Sequence, residues 1–155
     1  MKKIPSIIVP IIDKNGFSNQ NLSDFLINKK VIIFGVPGAF TPTCSEKHLP
    51  GFLKLNNHFK NKGIDDIFCM SVNDKFVMQS WLLSYSEGKN IKAIADGNGE
   101  ISHSLNVISD KSSSFMGLRC RRFAMIVNNN IILKQFFEEE GEFKTTSAEN
   151  ILNNL

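Results

Sequence analysis

The sequence predicts an α/β protein in which a mixed central β-sheet carries helices on both faces. Three observations lead there. Two β-branched apolar runs, "VIIFGV" at 31–36 and "IFCMSVN" at 67–73, read as strands, the first continuous enough to be buried on both sides. Between and after them lie segments whose apolar residues recur at helical spacing. Towards the end, "RFAMIVNNNIILKQFF" reads as two strands around an Asn turn, a hairpin that follows the alternating part.

The elements follow in order. The opening "MKKIPSIIVPII" superficially resembles a short signal peptide, with two lysines and then an apolar run. Pro5 and Pro10 interrupt that run, Asp13 ends it, and no small-residue cleavage site follows. "DKNG" at 13–16 is a turn, and "LSDFLINKK" reads as a short helix. Strand 31–36 leads into a loop dense in proline and glycine. Leu49, Phe52, Leu55 and Phe59 then mark a helix that Pro50 should kink and Gly63 should end. After strand 67–73, Asp74 caps a helix running through Phe76, Val77, Trp81 and Leu83. "IKAIA" at 91–95 is a third strand, closed by the turn "DGNG", and a short helix near 100–106 follows. Thr146-Ser-Ala-Glu149 reads as a capping box for a last helix. The order β-α-β-α-β-α-β-β-α suits a thioredoxin-like fold.

With 155 residues the chain is expected to form a single domain, 1–155, with material for a core that needs no staples. A net charge of +3 with mixed signs gives no basic stripe for nucleic acid. No run approaches the length of a membrane span. Three cysteines, Cys44, Cys69 and Cys120, lack short paired spacings, which argues against a secreted disulfide framework and for a reducing compartment. The expectation is a soluble, cytoplasmic protein. The three histidines, His48, His58 and His103, form no metal pattern. The absence of C-x-x-C speaks against thioredoxin or glutaredoxin activity.

One stretch concentrates constraint: "VPGAFTPTCSEKHLPGF" at 36–52 surrounds a single thiol, Cys44. A thiol is a nucleophile only as thiolate. Two helix starts are open here. Thr41 can be the N-cap with Pro42 at the first helical position, or Thr43 caps and Thr43-x-x-Glu46 forms a capping box. Either places Cys44 in the first turn, where unpaired N–H groups and the positive dipole end favour a negative charge. Against this stands the reading of Cys44 as a buried, inert cysteine at a strand–helix junction.

"FGVPGAFTPTCSEKHLPGF" resembles the active-site segment of the peroxiredoxins, in particular the atypical type II branch (Prx5-like and plant type II redoxins) of the thioredoxin-like superfamily. The pattern P-x-x-x-T-x-x-C runs from Pro37 through Thr41 to Cys44, and "SVND" at 71–74, Trp81, "ADG" at 95–97 and "RRFAMIV" at 121–127 follow in order. The resemblance implies reduction of hydrogen peroxide and alkyl hydroperoxides. By position, Cys44 would be the peroxidatic nucleophile, Thr41 would hydrogen-bond the peroxide, Pro37 would shield the thiolate, and Arg122 matches the active-site arginine. The product would be a sulfenic acid, recycled by glutathione with glutaredoxin or by thioredoxin. No metal, haem or flavin is implied, and a homodimer formed around the site is. The rival readings are a peroxide sensor that uses oxidised Cys44 as a signal, and a non-redox scaffold on the same fold.

The other thiols leave alternatives open. The spacing of Cys69 from Cys44 is similar to that of the second cysteine in plant type II peroxiredoxins, where it can resolve the sulfenic acid. Yet alternation puts Ile67, Cys69 and Ser71 on one strand face and Phe68, Met70 and Val72 on the other, as for a core residue. Cys120 lies two residues before Arg122. If the strand extends that far, the two share a face, with Arg119 and Arg121 favouring a thiolate. The cluster "RCRR" itself reads as an anion or nucleic-acid patch or, more simply, as a solvated strand end. His48, one helical turn after Cys44, is either a tuner of the thiol or a histidine on the helix surface or a subunit interface.

Overall fold

The computed structural model describes residues 2–155. Two strands come first, β1 (Ile8–Asp13) and β2 (Gly16–Asn21), joined at the predicted turn, with Ile12 facing Phe17 across the ladder. The apolar opening run is therefore a sheet strand. Pro10 is tolerated there because β1 meets its other neighbour only at Ile11 and Ile12. A one-turn helix, α1 (Leu22–Phe25), is capped by the Asn21 side chain and leads to β3 (Lys30–Gly35). The helical stretch after the Pro-rich loop divides into a π-helical turn at Cys44–His48, then α2 (Leu49–Lys54) and α3 (Asn56–Asn61). Next come β4 (Asp66–Ser71), α4 (Lys75–Leu83), β5 (Lys92–Ala95) and α5 (Glu100–Ser104). Asp74 caps α4 by accepting from Val77 N at 2.9 Å, as expected. A small two-stranded sheet, β6 (Ile108–Asp110) with β7 (Leu118–Cys120), precedes the hairpin β8 (Phe123–Asn128) and β9 (Ile131–Phe137). Asn129 and Asn130 turn that hairpin at positive φ, 47° and 67°, as a tight two-residue connection requires. The chain closes with α6 (Ala148–Asn153).

The main sheet has the order β2-β1-β5-β4-β3-β8-β9. β3, β4 and β5 run parallel and the remaining pairs antiparallel, so the sheet is mixed, and the fold is thioredoxin-like. The alternation expected along β4 holds. Ile67 and Cys69 enter one apolar layer, with Leu49, Phe52, Phe59, Met78, Trp81 and Ile151 from α2, α3, α4 and α6. Phe68 and Met70 enter the opposite layer, with Leu22, Ile101 and Leu105. Gly35, at the end of β3, sits under the ring of its cross-strand partner Phe123. A Cβ there would lie 2.0 Å from a ring carbon, so only glycine fits.

One capping expectation is corrected. Ser147, not Thr146, is the N-cap of α6, and its hydroxyl accepts from Asn150 N at 3.2 Å. The Thr146 hydroxyl is drawn inward to a buried carboxylate, which wins over a helix cap at the surface.

Candidate active site

The Pro-rich loop leaves the end of β3 and is tied down from three sides. Val36 N donates to Met70 O at 2.9 Å, Ala39 N to the Asn73 side-chain oxygen at 3.1 Å, and Arg119 Nη1 to Pro37 O at 3.3 Å. Phe40 takes a left-handed φ of 65°, uncommon for a bulky residue. The Thr41 hydroxyl donates to Gly38 O at 2.7 Å. With that proton committed, the free lone pairs of Thr41 Oγ1 are left to accept from an incoming hydroxyl.

The helix starts at the first of the two predicted positions. Ser45 N donates to Thr41 O at 2.9 Å, the first turn bond, so Pro42 occupies the first helical position and Cys44 lies in the first turn. Neither threonine caps with its side chain. Leu49 N then reaches Cys44 O, a bond one residue longer than the α-helical one. Pro50 has no N–H to offer the Ser45 carbonyl, and the Tyr85 hydroxyl donates to it instead at 2.6 Å. Trp81 Nε1 donates to Ser45 Oγ at 3.0 Å. The irregularity expected of Pro50 thus appears as a π turn held by two aromatic side chains of the α4 region.

Arg122, in the short link between β7 and β8, brings the site together. Its Nη2 donates to Cys44 Sγ at 3.2 Å, and its Nη1 lies 2.8 Å from His48 Nδ1. His48 is fully buried among the rings of Phe34, Phe52 and Phe143. Its Nε2 lies 2.9 Å from Thr146 O. Burial, and then the Arg122 charge, push its pKa down from 6.5 to about 3. The imidazole is therefore neutral. Its Nε2–H donates to Thr146, and its Nδ1 lone pair accepts from Arg122. Among the described residues no carboxylate pairs with Arg122, so its charge faces the sulfur unneutralised.

Of the four residues the resemblance points to, Arg122 reaches Cys44 Sγ, Thr41 lies one turn before Cys44 on the same helix start, and Pro37 lines the same groove as Arg122. Cys44 itself is buried, beneath a groove of about 510 Å³ that Pro37, Thr43 and Arg122 help to line. Burial agrees with one half of the inert-cysteine reading, but a guanidinium N–H on its sulfur is not the environment of an inert core thiol.

Three expectations for the neighbouring residues are corrected. His48 is on no surface; it is the inner support of Arg122. β7 stops at Cys120, so the strand does not run on to Arg122. Cys120 is buried in the apolar layer on the far side of the sheet from Cys44, and its Sγ donates to Val36 O at 3.1 Å. Burial, then the Asp96 charge, push its pKa up to about 12, so the flanking arginines do not favour its thiolate. Arg119 and Arg121 are not a solvated strand end. Arg119 ties the Pro37 loop, and Arg121 covers the Phe137 ring and donates to Glu138 O. Cys69 is buried in a central strand, and burial raises its thiol pKa well above the ordinary value. The roles of Tyr85 and Glu138 gave no sequence signal, and Asn73 and Thr146 stood out only as part of the "SVND" block and of a capping box. Each acts on a residue distant in the chain.

A thioredoxin-like sheet whose central strand delivers one cysteine to a helix start, with no C-x-x-C partner and an arginine on its sulfur, has the outline of a peroxiredoxin. The Redoxin family matches residues 2–152. Peroxiredoxin-2D of Arabidopsis thaliana is 44% identical over 153 residues, covering 98% of this chain and 94% of its own. Two solved structures share the fold. The reduced Prx3 of Vibrio vulnificus in complex with H2O2 has 37% identity and a TM-score of 0.92, covering 99% of this chain and 96% of that one. The 1-Cys peroxiredoxin (antioxidant protein) of Plasmodium falciparum has 36% identity and a TM-score of 0.90, covering 99% and 98%. The chain belongs to the Redoxin family and, within it, to the peroxiredoxins, whose class of activity is thiol-dependent peroxidase and antioxidant chemistry.

Proposed function

We propose that the chain reduces hydrogen peroxide and small alkyl hydroperoxides through Cys44. The observation that carries this is the Arg122 Nη2 contact with Cys44 Sγ at 3.2 Å, in the first turn of a helix and beside Thr41. The thiolate attacks one peroxide oxygen, the O–O bond breaks, and its electron pair leaves on the other oxygen, which is protonated to water or alcohol. Charge grows on that leaving oxygen, and Arg122 supplies a fixed cation with planar donors for it. The Thr41 lone pairs orient the peroxide. Pro37 closes the site against water. Cys44 becomes a sulfenic acid, which is the first rung of thiol oxidation.

An external thiol then resolves it. Attack on the sulfenic acid expels water and leaves a mixed disulfide, which a second thiol reduces. Glutathione with glutaredoxin is the reductant proposed, with thioredoxin as the alternative. Cys69 supports this choice, because it is hydrogen-bonded in register between β3 and β5, opposite Phe34 and Ala93. A Cys44–Cys69 disulfide would have to form inside the packed core layer the two thiols share, where Cys69 is fixed in the central strand. The reading needs no metal, haem or flavin, since the electrons come from thiols. Exposed Phe40 on the Pro37 loop, and Phe115 and Leu118 just before and at the start of β7, support a homodimer formed around the site. Three free, buried thiols favour a reducing compartment such as the cytoplasm.

The test is peroxide consumption with glutathione plus glutaredoxin and with thioredoxin plus its reductase, each supplied in turn. Sustained turnover with glutathione and glutaredoxin, lost in Cys44→Ser, is expected. A single equivalent consumed with both systems and no turnover makes the protein a peroxide sensor instead.

A further inference from the structure

Arg122 poses a problem of chemistry. To serve a thiolate it must be held rigidly, yet a carboxylate placed against it competes with the sulfur for its charge. The structure holds it with the neutral imidazole of His48. That imidazole needs a fixed acceptor behind it, and the acceptor is the Thr146 carbonyl, in the irregular segment between β9 and α6. Such a segment has no ladder of its own to keep a carbonyl in place.

Glu138 supplies what is missing. It is buried just past the end of β9. Its Oε2 accepts from Lys144 N at 2.7 Å, Thr146 N at 2.9 Å and the Thr146 hydroxyl at 2.7 Å, and its Oε1 accepts from Thr145 N at 3.3 Å. Its own backbone N donates to Arg122 O at 3.2 Å, and its carbonyl accepts from Arg121. One residue therefore grips the site from both ends: its main chain fixes the root of Arg122, and its side chain fixes the segment on which His48 stands. Burial by itself raises the carboxyl pKa, but the donors from Thr146, Lys144 and Thr145 outweigh it and hold it below the usual value, so it is the charged form that does this.

We propose that Glu138 is a positioning residue for the peroxidase: through Thr146 and His48 it holds the Arg122 guanidinium on Cys44 Sγ without neutralising it. The inference rests on the reading of Cys44 and Arg122 given above. The relay places a carboxylate two side chains away from the cation it orients, so the full charge of Arg122 remains for the sulfur and the leaving oxygen.

The experiment is a double-mutant cycle on the rate of Cys44 oxidation by hydrogen peroxide, followed by stopped flow, using wild type, Glu138→Ala, Arg122→Ala and the pair. Glu138→Ala is expected to slow oxidation about tenfold, since small misplacements of a catalytic group cost that and more. In the Arg122→Ala background it should change nothing further, because there is no guanidinium left to position. Glu138→Gln keeps an oxygen at the Oε2 position and so three of the four bonds; it is expected to recover most of the rate. If Glu138→Ala does not fold, Thr146→Ala, which removes one anchoring bond, replaces it in the cycle with a smaller slowing expected, again absent without Arg122. Equal slowing in both backgrounds, or no slowing in the first, overturns the positioning role while leaving Cys44 and Arg122 in theirs. Consumption at the wild-type rate in Cys44→Ser, measured alongside, overturns instead the reading on which it rests.

Discussion

Lowering the pH should destabilise this protein through His48. The ring titrates at about 3 in the folded chain against 6.5 in an ordinary environment. Between those values the unfolded chain binds a proton that the folded chain refuses. Stability from this group is therefore whole above pH 6.5 and is lost as pH falls towards 3. The slope in that window is about 1.4 kcal/mol per pH unit, so at about pH 5 the loss is about 2 kcal/mol relative to neutrality. The groups facing the ring are Arg122 and Glu138. The folded pKa of Glu138 is depressed from 4.5, so its contribution is whole above that value and is lost below it, outside the interval from about pH 5 to about pH 7.5 that the assay compares. The assay is urea unfolding at about pH 7.5 and about pH 5, in wild type and in His48→Gln, whose neutral amide cannot take up a proton here. Wild type should lose about 2 kcal/mol more than the variant between the two conditions. Equal losses in both proteins refute the buried neutral imidazole, and with it the account of how Arg122 is held.

Other outcomes follow from the same geometry. Arg122→Lys keeps the charge but cannot bond Cys44 Sγ and His48 Nδ1 from one planar fork, so stopped-flow oxidation should slow about tenfold or more; an unchanged rate contradicts this. Cys69→Ser and Cys120→Ser should each oxidise at Cys44 at the wild-type rate, and loss of the first oxidation step in either would give that thiol a chemical role. Tyr85→Phe removes the donor to the Ser45 carbonyl and should destabilise by about 1 kcal/mol, read as a lower urea midpoint; an unmoved midpoint means the π turn does not depend on it.

The sequence made the alternating core of the fold readable because β3, β4 and β8 are apolar and buried on both faces, and periodicity reports burial. It hid β2, "GFSNQN", because that edge strand is polar and largely exposed, and it hid β6 and β7 because three-residue strands have no period. The site divides the same way. Pro37, Thr41 and Cys44 lie within eight residues and share one motif, and Arg122 is flagged by its block. His48 was visible as a neighbour of Cys44, but its direction was not, since a helical position does not say which side faces in. Glu138 and the role of Thr146 were invisible. Glu138 opens a run of three glutamates that reads as a solvated charge cluster, and its companions Glu139 and Glu140 are indeed exposed. Only the burial of one of the three, among the backbone amides of residues 144–146, sets it apart. Thr146 misled the capping argument for the same reason, because its hydroxyl answers to Glu138 across the loop.

The claim on which the account stands is that Cys44 is the thiol that meets the peroxide. One equivalent of hydrogen peroxide added to the reduced protein with a sulfenic-acid trap present, followed by peptide mass spectrometry, tests it most directly. The account predicts the trapped adduct on Cys44 alone, with Cys69 and Cys120 still reduced. An adduct on either of those, or trapping at wild-type level in Cys44→Ser, would contradict it.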